Sequence, residues 1–365
     1  MTVVPPLPGA AVVRRIACVM LNGVGDLLCV TPTFAAFKQR YPEASLTVVM
    51  RREGRALVEG NPHVSEIIFF EGSSVARFAR TVRALRQRRF DLWVELHVPT
   101  FNTVRSNHRD YFRNGLLMAC VGATYRLAYG VSFLRPLLTH RVAKPAFDEL
   151  RSVNIVDITL ALAAPTPGLT FRKHMPVSDA DRRWAAAALP ASQAPRVALF
   201  FGSRQAADVW PEASAVEFIE RLTNTYPQME LVLIGGPFET DFARRISAQL
   251  RGRTTLRVYD FVAQASLTQT AALLERCAVF VSTDSGPMHI ADALGIPLVA
   301  LFSSKNYLPV WRPMDPRAIV INHPVDCGPC LQATCPIDNR CMTLITANEV
   351  LRAVAALLPR PTTTL

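Results

Sequence analysis

"VFVSTDSGPMHIADALGIPLVALF", residues 279–302, carries the plainest structural instruction in the chain. Apolar Val279-Phe280-Val281 runs into Ser282-Thr283-Asp284-Ser285-Gly286-Pro287, which holds hydroxyls, an acid, a glycine and a proline. A helix of small residues follows from about Met288, then a second apolar strand from Leu298 to Phe302. Thr283, Asp284, Ser285, Gly286 and the nearby His289 therefore stand at a strand's carboxyl end. There the first N–H groups of the next helix collect anions, phosphate above all. A plain helix cap, with Asp284 or Ser285 accepting from those N–H groups, is the simpler use of the same residues. His289 has an equally simple use as a core histidine bonded to a backbone carbonyl.

The same strand-then-helix unit recurs in both directions from this stretch. "RIACVML", "SLTVVM", "VSEIIFF" and "FDLWVEL" alternate with helical patterns in the first half. "RVALFF", "MELVLIGG", "LRVYDF", "CAVFVSTD" and "PLVALF" do so in the second. Strands separated by helices predict parallel sheets covered on both faces, here in two copies. Low-charge Ala- and Pro-rich sequence at Ala161–Gly168 and Ala185–Pro195 separates the halves. The expected domains are residues 1–170 and 171–365, each Rossmann-like and doubly wound. Such domains, facing each other, bind ligands in a cleft at the carboxyl ends of their strands.

At 365 residues, the chain has room for two ordinary cores, and its 50% hydrophobic, 19% charged composition is that of a globular protein. No apolar run nears the roughly 20 residues that span a bilayer. The start, "MTVVPPLPGAAVVRRIACVM", lacks the basic-then-apolar order of a signal peptide, so a cytoplasmic protein with a loose Pro-rich leader is expected. The net charge of +11 is uneven: residues 1–165 hold 21 Lys and Arg against 12 acids. Arg77, Arg80, Arg83, Arg86, Arg88 and Arg89 recur at roughly helical spacing. Such a face attracts phosphates of a lipid, nucleic acid or substrate, or is simply solvated. With no zinc-finger or aromatic–basic signature beside it, nucleic acid is not the expected partner.

Three stretches together resemble glycosyltransferase family 9, the ADP-heptose:lipopolysaccharide heptosyltransferases. One is "LNGVGDLLCVTPTFAAFKQRYPEASLTVV", with Gly25-Asp26, Thr31-Pro32 and Tyr41-Pro42. Another is "LFFGSRQAADVWPEASAVEFIERL", with Gly202-Ser203 and Trp210-Pro211. The opening stretch is the third, and the three span nearly the whole chain. The resemblance implies a GT-B fold, an inverting transfer with no catalytic metal, and a nucleotide-sugar donor, typically ADP-heptose. It implies a lipopolysaccharide-core acceptor on the first domain and the donor on the second, and the basic first half fits an anionic core at the inner-membrane surface. Another donor, a protein acceptor, or a sugar-nucleotide-binding protein without turnover are the competing readings.

Sugar transfer needs a base for the acceptor hydroxyl and donors or cations for the departing diphosphate. By resemblance Asp26 is the base, though a turn or cap role would suit it too. Gly25, Gly202, Ser203, Thr283, Asp284, Ser285, Gly286 and His289 match the donor side. One departure stands out: the family lysine two residues before Trp-Pro is here Asp208. An anion beside a diphosphate opposes binding, so Arg204 or Lys305 is expected to supply the missing charge.

"DCGPCLQATCPIDNRCM", residues 326–342, spaces Cys327, Cys330, Cys335 and Cys341 as C-x2-C-x4-C-x5-C. In a cytosolic chain such a cluster suits a structural zinc or iron, an iron–sulfur cluster, or free or disulfide-bonded thiols. Related autotransporter heptosyltransferases hold a structural iron through four cysteines, so the resemblance favours a mononuclear metal that fixes the loop.

Overall fold

The computed structural model describes residues 6–72, 74–97, 108–130, 134–143, 151–250 and 255–358. The chain divides into two compact units, Met1–Pro176 and Val177–Leu365.

The first unit runs β1 (Arg15–Met20), α1 (Val24–Arg40), β2 (Ser45–Met50), β3 (Glu66–Phe69), α2 (Val75–Gln87), β4 (Leu92–Glu95), α3 (His108–Val121), β5 (Tyr125–Tyr129), β6 (His140–Val142) and α4 (Ile155–Ala161). Its strands form one sheet in the order β3-β2-β1-β4-β5-β6, every pairing parallel. β1 and β2 are buried at all but their first residue, which is why both read as unbroken apolar runs.

Between β1 and α1 lies only Leu21–Gly23, so Gly25 and Asp26 belong to the helix's first turn rather than to the connecting loop. α1 also tolerates a proline in its interior. Pro32 has no N–H for the carbonyl four residues back, and the Thr31 hydroxyl bonds that Leu28 carbonyl at 2.8 Å instead. The same hydroxyl accepts from the His174 N–H at 2.9 Å, tying the end of the unit to its central helix.

The second unit runs α5 (Asp179–Ala188), β7 (Arg196–Phe200), α6 (Glu212–Thr225), β8 (Glu230–Leu233), α7 (Thr240–Leu250), β9 (Arg257–Asp260), α8 (Leu267–Leu274), β10 (Val279–Thr283), α9 (Gly286–Leu294), β11 (Leu298–Phe302), β12 (Ile319–Asn322) and α10 (Ala347–Leu357). The stretch from Ala185, read as separating sequence, thus begins inside α5. The strands again form a parallel sheet, β12-β11-β10-β7-β8-β9. Its core centres on Val197, Leu199, Val281 and Leu301, with Trp210 fully buried among Phe201 and Phe218. The Trp210 indole N–H donates to the Ile345 carbonyl at 3.0 Å and so anchors the entry to α10.

Both sheets have the same order, the fourth strand pairing with the first on the side opposite the second. The direction of winding therefore reverses between β1 and β4, and between β7 and β10. Loops at the carboxyl ends of such neighbouring strands diverge and leave room for a ligand. Among the described residues, no helix is long and apolar enough to cross a membrane.

Candidate active site

In the second unit the reversal point lies between the loop after β7, Gly202–Gln205, and the turn after β10, Asp284–Ser285. The Thr283 hydroxyl donates to the Gly202 carbonyl at 2.6 Å and holds the two together. Ser285 is the N-cap of α9, with extended backbone, yet its hydroxyl makes no cap bond. It turns back to the Thr283 carbonyl at 3.0 Å and to the Ser282 hydroxyl at 3.1 Å. Ser285 thus gives the first N–H groups of α9 no side-chain cap, and Pro287 brings no N–H of its own. A Cβ placed on Gly286 would meet nothing within 4 Å, so space lies open over that turn. His289 is buried in the same helix, its ring 6.5 Å from that of Trp311, and its N–H bonds the Ser285 carbonyl at 3.3 Å.

Gly202 has a different reason to be glycine: a Cβ there would lie 2.2 Å from the Glu239 Cγ. Glu239 follows β8 and accepts from the Gly236 N–H at 2.8 Å. Burial raises its carboxyl above the ordinary range, opposed by that bond and by the charge of Arg204. Ser203 accepts from the Gln205 N–H at 3.1 Å, and Arg204 is exposed with no ion pair among the described residues. Sequence reasoning passed over Glu239, although an acid two residues after "GGP" at a strand end was the available signal.

Lys305 is placed otherwise than a phosphate-binding lysine would be. It is 2% exposed, and its ammonium lies 2.7 Å from the carboxylate of Asp208, itself 4% exposed. Gln205 Oε1 also accepts from Lys305, and the Ser303 hydroxyl donates to Asp208. The two residues that depart from the expected pattern therefore satisfy each other, and a buried charge requires such a partner.

The cysteine loop closes over this pair. The N–H of Leu331 donates to the Lys305 carbonyl at 2.9 Å, and that of Ala207 to the Ala333 carbonyl at 3.1 Å. Cys327, Cys330, Cys335 and Cys341 all line one pocket of about 20 Å³, with Lys305 and Ala207 in its wall. A Cβ on Gly328 would stand 2.6 Å from the Ser304 carbonyl oxygen, so only glycine allows the approach. Burial, then the three neighbouring thiols, push the Cys341 thiol up, while the Asn339 N–H donates to Cys335 Sγ at 3.3 Å. Among the described residues, no group of three His, Cys, Asp or Glu side chains stands in metal-holding geometry.

In the first unit the reversal point holds Asp26 on one side. It is half-buried in the first turn of α1, where the helix dipole favours a carboxylate. On the other side β4 ends at Glu95 and is followed by Leu96 and His97, with the Leu96 N–H bonded to the Val19 carbonyl at 2.9 Å. Glu95 is wholly buried, and its Oε1 accepts from the His97 N–H at 3.2 Å and the Asn114 amide at 3.0 Å. Burial pushes its carboxyl up to about 8, those bonds and Arg113 only partly opposing it. The His97 ring stacks on Tyr111, centroids 4.6 Å apart. Neither residue was a sequence candidate; an acid closing an apolar strand was the missed sign.

Two parallel α/β units, each with polar residues gathered where winding reverses, have the architecture of the GT-B fold. The chain belongs to glycosyltransferase family 9 (heptosyltransferase), whose family model matches residues 79–340, and is a glycosyltransferase. It is 24% identical over 311 residues to lipopolysaccharide heptosyltransferase 3 of Escherichia coli, covering 81% of this chain and 85% of that one. It superposes on the structure of E. coli ADP-heptose lipopolysaccharide heptosyltransferase II with a TM-score of 0.76 at 22% identity, covering 94% and 98% of the two chains. The iron-containing dodecameric glycosyltransferase TibC of enterotoxigenic E. coli matches with a TM-score of 0.56 at 15% identity, over 94% of this chain and 76% of that one.

Proposed function

We propose that the chain transfers a sugar, heptose, from ADP-heptose to a hydroxyl of an anionic glycan such as the lipopolysaccharide core, with inversion. The observation that carries this reading is the start of α9, which Ser285 leaves without a side-chain cap, beside the Gly202 loop in a chain of this family. The donor diphosphate rests on the first N–H groups of α9, with Gly202, Ser203, Thr283 and Asp284 around it and His289 beneath. Arg204 is the cation left for its charge, because Lys305 is matched by Asp208. Glu239, at the end of the unit's second strand, accepts from ribose hydroxyls as acids there do in nucleotide-binding folds. Asp26 takes the proton of the acceptor hydroxyl as it attacks the anomeric carbon. The electron pair of the broken glycosidic bond leaves with the diphosphate, whose growing charge the α9 turn stabilises.

Incubation with ADP-heptose and lipopolysaccharide core, and with ADP-, UDP- and GDP-hexoses as alternatives, tests the reading. Asp26→Asn should lower kcat by about two to four orders of magnitude while donor binding by calorimetry stays unchanged. Full activity in that variant removes Asp26 as base. Asp208 in place of the family lysine favours a second reading, a sugar-nucleotide-binding protein without turnover. Donor binding with neither transfer nor slow donor hydrolysis would establish it.

The four thiols that share one small pocket suit a soft ion such as zinc or iron, held as a structural metal by Cys327, Cys330, Cys335 and Cys341. Such an ion would neutralise the thiolates and fix the loop over Lys305. Metal analysis of anaerobically purified protein should find one equivalent; fully titratable thiols and no metal would dismiss it. The place of action is the cytoplasm, at the inner face of the membrane that carries the acceptor.

A further inference from the structure

α2 carries six arginines and no acid between residues 75 and 89 counting its two C-terminal flanking residues, and five of the six fall into two sets. Arg88 pairs with Glu66 at 2.5 Å and Arg80 reaches Glu71 at 4.0 Å. Arg83, Arg86 and Arg89 are exposed and have no ion pair among the described residues. These three line one side of an open groove of about 640 Å³ whose floor is apolar, from Phe78 and Val82 of α2 to Cys120 of α3.

The apolar surface continues beyond the groove. Phe112 and Leu116 occupy the same face of α3 as Cys120, at successive four-residue steps, and are 64% and 44% exposed. Val75, at the start of α2, is 87% exposed. A soluble face gains nothing by presenting a phenylalanine, a leucine and a valine to water beside three unmatched guanidinium groups. Each half of the pattern has a use at a bilayer surface: the arginines meet acidic headgroups, and the apolar side chains enter the headgroup–acyl boundary. Nucleic acid would use the arginines and leave Phe112 and Leu116 idle.

We propose that the outer face of α2 and α3 is a docking surface for a bilayer rich in acidic phospholipid. Arg83, Arg86 and Arg89 bind the headgroups, and Val75, Phe112 and Leu116 rest in the interface. The proposal deepens the reading of a membrane-borne glycan acceptor, since it holds the enzyme on the surface where that acceptor is anchored.

Sedimentation of the full chain with phosphatidylcholine vesicles, with and without phosphatidylglycerol, tests it. Binding should require phosphatidylglycerol and weaken with added salt. The triple variant Arg83→Gln, Arg86→Gln, Arg89→Gln should bind about a hundredfold more weakly, given the usual gain per basic residue at an anionic surface. The corresponding triple lysine variant should keep binding, which separates loss of charge from loss of packing. Phe112→Ser with Leu116→Ser should lower the binding that survives high salt. Transfer to a water-soluble acceptor fragment should be unchanged in all of them. No binding to phosphatidylglycerol vesicles, or equal binding by the triple glutamine variant, overturns the surface. So does self-association in sedimentation velocity that the triple glutamine variant abolishes, because the occupant is then a second copy. Vesicle binding without transfer to any glycolipid leaves the surface standing and removes the acceptor reading instead.

Discussion

Glu95 is an acid with an ordinary carboxyl value of 4.5 that burial raises to about 8. Because the folded value exceeds the unfolded one, the stability this group contributes is complete below pH 4.5 and is lost as pH rises toward 8. The loss should reach ~1.4 kcal/mol per pH unit within that window. Denaturant unfolding of Glu95→Gln across it should show a flatter profile than wild type, since the amide keeps the contacts with Asn114 and the His97 N–H without a proton to lose. Lys305 and Asp208 make the complementary case, a buried ion pair 2.7 Å apart. Lys305→Ala or Asp208→Ala alone should cost ~3–5 kcal/mol, because each strands a buried charge. Lys305→Met with Asp208→Leu should recover most of that loss in thermal melts. This pair was not legible in the sequence: its members lie on the loops after different strands, and only the sheet order brings them together. Asp208 alone looked like a lost cation, and Lys305 alone like a gained one.

The turns at strand ends were the most legible elements, because their chemistry is local. Ser285 and Gly286 stood out by order and residue type and Gly202 by the family resemblance, and the structure explains the two glycines differently. Gly202→Ala should push Glu239 from the Gly236 N–H and weaken both stability and donor binding. Gly286→Ala has open space and should leave the melting temperature unchanged. If the diphosphate lies on that turn, the added methyl should still weaken donor affinity by about tenfold, on the order of 1.4 kcal/mol. Calorimetry beside a melting curve separates the two glycines. Three strands escaped the sequence reading. β5 carries Arg126 within five residues, β6 has only three residues, and β12 is a four-residue edge strand. Short strands near a sheet's margin bury little, so they lack the apolar run that marks β1 or β10.

At the scale of the chain, the doubled strand–helix alternation gave the architecture, because both sheets are buried on two faces and the hydrophobic pattern has nothing to hide behind. The donor's identity has no comparable signature, since backbone N–H groups take any diphosphate. A thermal-shift series over nucleotide sugars reads it instead: a ligand at about a hundredfold excess over its Kd stabilises the fold by ~2.7 kcal/mol. ADP-heptose should give the largest shift, and an equal response to ADP alone would mean that the sugar makes no contact. The cysteine loop also bears on how this chain compares with its relatives. It roofs Lys305 through the Leu331 and Ala333 backbone bonds, and so keeps water from the ammonium–carboxylate pair. A homologue lacking that roof would hydrate the pair and have little use for it. Across the family, therefore, an aspartate two residues ahead of Trp-Pro and a lysine after the fifth strand of the second unit should be inherited together with the four-cysteine insert.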